Sequence, residues 1–192
     1  FGALNQLLTE TKYSVADPDG TTGPGVASGP QTTRYIYSAS KQHQLRFVIS
    51  PEGRVTEYRY DGVGQQTSQI QYSATHFSTA GTQTETNLTT WLASANKSES
   101  QRIDYQYDAR GALKSRTVYG KVDSTGLGIN DASKSTTYYT YDAAGNLLQV
   151  IDGRGTENGT SYRTSYAYDG LNRIVVQTDA VGNSTTTLYS DS

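Results

Sequence analysis

Two carboxylates ten residues apart raise the question of chemistry in this sequence. In Y-T-Y-D-A-A-G-N-L-L-Q-V-I-D-G-R-G-T, residues 139–156, Asp142 and Asp152 could form an acid/base pair or supply oxygen ligands to calcium. Asp followed three residues later by Gly is equally a way for a chain to reverse direction, and Asp142-x-x-Gly145 and Asp152-x-x-Gly155 both have that form. Asp17-Pro-Asp19-Gly20 has the first letters of a calcium loop, yet Thr21, Thr22 and Gly23 stand where such a loop needs further acidic ligands. His43 and His76 are the only histidines, and neither has a partner pattern beside it, so each reads as a surface or sheet residue rather than a base or metal ligand. No Cys occurs, and there is no phosphate-cradling Gly loop, nucleophile elbow or zinc spacing. The sequence predicts no catalytic, metal or cofactor residue and no enzymatic activity of its own.

The elements that must position these aspartates are strands. Of 192 residues, 19 are Gly and 16 are Tyr, and Ser and Thr are abundant. Tyr lays its ring on a sheet while its hydroxyl reaches a polar partner. With 34% hydrophobic residues, the chain predicts a thin-walled β structure rather than a thick oily core. A net charge of −2 without a Lys/Arg run argues against nucleic acid as partner. No apolar run approaches membrane-spanning length, and F-G-A-L-N-Q-L-L is neither a signal peptide nor a Met start, so the chain reads as excised from a longer one.

Aligning on Tyr-Asp gives a repeat. Its copies are Y-R-Y-D-G-V-G at 58–64, Y-Q-Y-D-A-R-G at 105–111, Y-T-Y-D-A-A-G at 139–145 and Y-A-Y-D-G-L-N at 166–172. Tyr residues two apart lie on one face of a strand, so each copy places a two-ring stripe there. Asp61, Asp108, Asp142 and Asp169 then open a turn, and the residue three later must take positive φ to leave it through a bulge. Gly64, Gly111 and Gly145 fill that place; Asn172, the non-glycine residue best suited to the left-handed region, fills the fourth. A second turn follows each outgoing strand, as S-P-E-G-R at 50–54, D-G-R-G-T at 152–156 and D-A-V-G-N at 179–183. The structural motif is thus Tyr60, Asp61, Gly64; Tyr107, Asp108, Gly111; Tyr141, Asp142, Gly145; and Tyr168, Asp169, Asn172.

Y-x-Y-D-x-x-G-[RN]-L, followed by about five residues and D-x-x-G-[NR], resembles the YD repeat of the Rhs family, which includes the shell-forming B and C components of insecticidal toxin complexes and the teneurin ectodomains. A degenerate copy lies upstream in R-Y-I-Y-S-A-S-K-Q-H-Q-L, with Ser38 for the Asp and two extra residues before Leu45. F-G-A-L-N-Q-L-L resembles the second half of a copy, and T-L-Y-S-D-S the beginning of another. The self-cleaving aspartate segment that many Rhs proteins carry beyond their repeats has no counterpart here.

One segment, 1–192, is therefore expected, with repeats around 35–72, 100–120, 136–156 and 163–192 and insertions at 17–31, 73–100 and 120–135. The first and last insertions, and 155–161, are Gly-, Asp- or Ser-rich and read as irregular loops. The second holds the only Trp, and Leu88, Trp91, Leu92 and Ala95 have the spacing of a short amphipathic helix with Thr86 or Asn87 as N-cap. That helix either packs on the sheet or docks a partner. The predicted fold is all-β: antiparallel hairpins forming a continuous twisted sheet, part of a β-shell, with at most one short helix.

The resemblance implies a structural segment of a large secreted or delivered, bacterial Rhs-type toxin protein, enclosing a C-terminal toxic domain. Its partners would be the remaining repeats and C-terminal domain of the same parent chain, with no membrane insertion and no cofactor. The competing expectation is a cell-surface adhesion or carbohydrate-binding module engaging glycans, since the C–H faces of sugars stack on Tyr rings.

Overall fold

The computed structural model describes residues 1–2, 4–17, 27–41 and 43–190. Their strands are β1 (Thr9–Val15), β2 (Ser28–Tyr37), β3 (Leu45–Ile49), β4 (Val55–Tyr60), β5 (Gln66–Tyr72), β6 (Gln101–Tyr107), β7 (Leu113–Tyr119), β8 (Ser135–Tyr141), β9 (Leu147–Ile151), β10 (Arg163–Tyr168), β11 (Ile174–Thr178) and β12 (Ser184–Thr186), with one helix, α1 (Glu85–Ser94), between β5 and β6. The fold is all-β, and strand order in the sheet is sequence order. Two compact units divide the chain: Phe1–Arg102 with Lys121–Leu127, and Ile103–Gly120 with Gly128–Ser192.

In the first unit β1 to β5 form an antiparallel meander. Alternation sends Phe47 and Ile49 of β3, Val55 and Glu57 of β4, and Ile70 and Tyr72 of β5 to one face. Helix α1 covers that face with Leu88, which is fully buried, and Phe77, Trp91 and Leu92 pack around it. Burying a Leu of this kind contributes about 1.5–3 kcal/mol. The Trp91 ring stands edge-on to Tyr72 at 5.9 Å and to Phe77 at 5.7 Å, so the Trp is engaged on its own sheet. The helix starts earlier than its apolar spacing predicts: Thr84 is the N-cap, its hydroxyl accepting from the Asn87 N–H, in place of Thr86 or Asn87. That puts Glu85 in the first turn, where the helix dipole favours it and where Arg46 and the Ala39 N–H meet its carboxylate.

The flanks of the 17–31 insertion are more regular than a loop, because β2 begins at Ser28 and its first residues pair with β1, Gln31 opposite Lys12 and Pro30 opposite Tyr13. Most of the Asp17–Gly23 calcium-loop reading falls on 18–26, outside the described residues. The 120–135 insertion is also partly ordered. Asp123 closes a turn with Gly126, Val122 is buried, and the Gly126 carbonyl accepts from the buried Arg102 guanidinium at 2.7 Å.

The second unit contains β7 to β12 as consecutive antiparallel pairs. Its buried side chains are few, chiefly Ser115 and Ile151, and Leu147, Leu148, Val150, Val175 and Val176 are half-buried. Cross-strand hydroxyl pairs, Thr117 with Thr136 at 3.0 Å and Thr178 with Ser184 at 2.9 Å, replace apolar contacts. This is the thin sheet that the low apolar content implies.

Candidate functional site: a ladder of Tyr-Asp turns

Each Tyr-Asp station is built the same way. At Asp142 the backbone N–H donates to the Asn146 carbonyl at 2.9 Å, and the Gly145 N–H donates back to the Asp142 carbonyl at 3.2 Å. The carboxylate Oδ1 accepts the Asn146 N–H at 2.8 Å. Asp61, Asp108 and Asp169 repeat this, each Oδ1 taking the N–H groups two and four residues on. Positive φ follows at Gly64, Gly111, Gly145 and Asn172, at 93°, 85°, 90° and 60°. The bulge sits opposite the Tyr: Tyr60 faces Gln66, Tyr141 faces Leu147 and Tyr168 faces Ile174, leaving one residue of each outgoing strand unopposed. In the degenerate copy Tyr37 faces Leu45, and the unopposed residue is Arg46.

The hydroxyls of Tyr60, Tyr141, Tyr168 and Tyr189 share one task. Tyr60 donates to the Leu45 carbonyl at 2.9 Å, Tyr141 to Leu113 at 3.1 Å, Tyr168 to Leu147 at 2.9 Å and Tyr189 to Ile174 at 3.1 Å. Every acceptor is the first residue of an outgoing strand, and every donor closes the copy that follows. Pairing of each outgoing strand with the next one stops two residues after the acceptor, at Phe47, Ser115, Gln149 and Val176, and the hydroxyl reaches the carbonyl that lies beyond the ladder.

Neighbouring turns are also tied along one rim. Arg110 holds the Asp108 carboxylate with Nε and Nη2 and sends Nη1 to the Asp142 carbonyl at 2.6 Å. The Asn146 amide donates to Asp142 Oδ2 at 2.9 Å and to Asn172 Oδ1 at 2.8 Å. Asn172 therefore does more than tolerate its backbone angle.

These contacts decide what the carboxylates can do. Asp108 is held below the ordinary carboxylate range, first by the Ala112 N–H; Asp142, first by the Asn146 amide; and Asp169, first by the Arg173 N–H. The Arg154 side chain does the same for Asp152, and the Asn183 amide for Asp179. Each Oδ1 is committed to fixed donors, so at neutral pH these groups anchor their turns as carboxylates. His43 and His76 are exposed, and no group of three or more His, Cys, Asp or Glu is placed to hold a metal among the described residues.

Two features escaped sequence reasoning. Asp123-x-x-Gly126 forms the same turn without a preceding Tyr, its Oδ1 accepting from Thr125 and Leu127; the Asp-x-x-Gly spacing was visible, but alignment on Tyr-Asp passed over it. Glu57 is a buried carboxylate between Arg59, Arg46 and the Tyr72 hydroxyl, which donates at 2.7 Å. Burial resists its ionisation, yet the Arg59 bond and charge, with Tyr72 and Arg46, hold it below the ordinary range. Burial and the adjacent Glu57 charge push Tyr72 well above the usual phenol value.

Stations that repeat a Tyr clasp, an Asp turn and a left-handed exit residue define a hairpin repeat protein. Residues 123–157 match the RHS Repeat family model, so the chain carries an RHS repeat there. Among solved structures, a TcdB2-TccC3 crystal structure without its hypervariable C-terminal region is 16% identical, covers 90% of this chain and gives a TM-score of 0.44. A TcdB2-TccC3-Cdc42 crystal structure gives 16%, 90% and 0.39, and a Photorhabdus luminescens Tc holotoxin pore gives 16%, 92% and 0.33. Scores this low carry no inference. The chain spans only 8–10% of the length of those solved chains. No curated protein matches it.

Proposed function

We propose that the chain is a structural run of YD repeats in the wall of a larger secreted or delivered Rhs-type toxin protein, enclosing a toxic C-terminal domain of the same parent. The repeated station carries this reading: Tyr60, Tyr141, Tyr168 and Tyr189 perform one bond at four places, as a wall requires and a single active site does not. The RHS match at 123–157 supports it. The mechanism is passive exclusion: turn residues set the strand exits, Tyr stripes pack the sheet, and the remaining repeats of the parent complete the enclosure. The motif residues Tyr60 to Gly64, Tyr107 to Gly111, Tyr141 to Gly145 and Tyr168 to Asn172 are structural, and the 192 residues form one repeat segment.

Limited proteolysis of the full-length parent, native and denatured, tests it. A domain encoded after Ser192 that survives only in the native protein supports enclosure; one cut equally in both states refutes it. A second reading, adhesion to cell-surface glycans, is favoured by one groove in the second unit.

A further inference from the structure

That groove, of about 350 Å³, is lined by Val150, Asp152, Arg154, Tyr162, Thr164 and the Asp179–Val181 turn. It owes nothing to the Tyr-Asp stations. Its wall is Tyr162, which follows the 155–161 insertion and sits at φ 58°. Among the described residues, Asn5 and Asn172 are the other non-glycine residues at positive φ, and Asn is the residue type suited to it. A bulky aromatic there costs free energy that the fold must offset, and such outliers cluster at binding sites. The ring is 41% exposed. The motif tyrosines Tyr60, Tyr141 and Tyr168 give their hydroxyls to carbonyls, but the Tyr162 and Thr164 hydroxyls donate to no described residue.

The lining selects the ligand class. The Arg154 guanidinium lies over the Tyr162 ring, 4.5 Å from its centroid, and pairs with Asp152 through Nη2. A cation is repelled by the Arg154 charge held against the ring and finds no second ring among the lining residues to complete a cage. An anion finds that arginine neutralised and Asp179 opposite. A neutral polyol meets what is offered: hydroxyls on Tyr162 and Thr164 that both donate and accept, the outer N–H of Arg154, and the one lone pair of Asp179 Oδ2 that Val181 and Asn183 leave over. The weakly positive C–H face of a pyranose also suits the ring face that Arg154 does not cover.

We propose that the Tyr162 groove binds a neutral saccharide unit, with the ring as stacking platform and Thr164, Arg154 and Asp179 as hydroxyl partners. The proposal supplies a site and ligand class for the glycan reading and does not rest on the enclosure reading. The test is saturation-transfer NMR on the 192-residue chain with methyl β-glucoside, methyl β-galactoside and methyl β-N-acetylglucosaminide, with tetramethylammonium as the cationic control. At least one pyranoside should receive saturation and shift residues 150–181. Tyr162→Gly, which removes the ring and the backbone strain together and so protects the fold, should weaken binding about tenfold or more, and Thr164→Val should weaken it less. No transfer to any pyranoside, transfer to tetramethylammonium instead, or binding unchanged in Tyr162→Gly would each overturn the proposal.

Discussion

Gly145 and Asn172 hold the same backbone position for different reasons. A Cβ added at Gly145 would meet nothing within 4 Å, so the cost of Gly145→Ala is purely conformational, about 1–2 kcal/mol for a left-handed Ala. A urea melt of the chain should show that loss. At Asn172, Gly would satisfy the angle but would remove one of the two acceptors of the Asn146 amide, the one that ties neighbouring turns, so Asn172→Gly should destabilise modestly where backbone freedom alone predicts a gain. Tyr141→Phe removes a single bond, to Leu113, and should cost about 0.5–1.5 kcal/mol, while the same change at Tyr162, which clasps nothing, should leave stability unaltered. At this scale much was legible. Asp-x-x-Gly fixes its bonds within five residues, so the letters contain the geometry. The left-handed Tyr162 was not legible, because nothing in S-Y-R marks a positive φ.

Among elements, α1 tests the core. Leu88→Ala should destabilise the first unit by about 2–5 kcal/mol, read as a fall in thermal midpoint together with lost near-ultraviolet dichroism from Trp91. Trp91→Phe, which keeps an aromatic against Tyr72 and Phe77, should cost less. The helix was visible in its apolar spacing. Its cap was not: the apolar spacing pointed to Thr86 or Asn87, whereas the helix is capped by Thr84, which lets Glu85 reach Arg46. The Glu57 cluster was hidden for a related reason: it joins β3, β4, β5 and α1, and depends on a bulge that leaves Arg46 unopposed. Register across strands does not show in a linear text.

For the molecule as a whole, acidity should be the decisive variable. Asp108, Asp123, Asp142, Asp152, Asp169, Asp179 and Glu57 all have folded-state values below their ordinary ones. A depressed carboxyl contributes stability that is complete above its unfolded value and is lost as pH falls through the folded one. Thermal stability should therefore be level from neutrality down to the ordinary carboxylate range, about pH 4, and fall steeply below it. Glu57→Gln should flatten part of that fall, and a melting profile equally steep in the variant would exclude Glu57 as a contributor. No described helix is long and apolar enough to cross a membrane.

The Tyr clasp also has a direction. Leu113 receives its bond from Tyr141, Leu147 from Tyr168 and Ile174 from Tyr189, in each case from a residue made later in synthesis. A copy leaving the ribosome is therefore unfinished until the next tyrosine emerges, and the order of translation becomes the order of closure. A chain paused between Leu147 and Tyr168 should carry one loose strand end and no more, so the array advances with a single exposed seam rather than many.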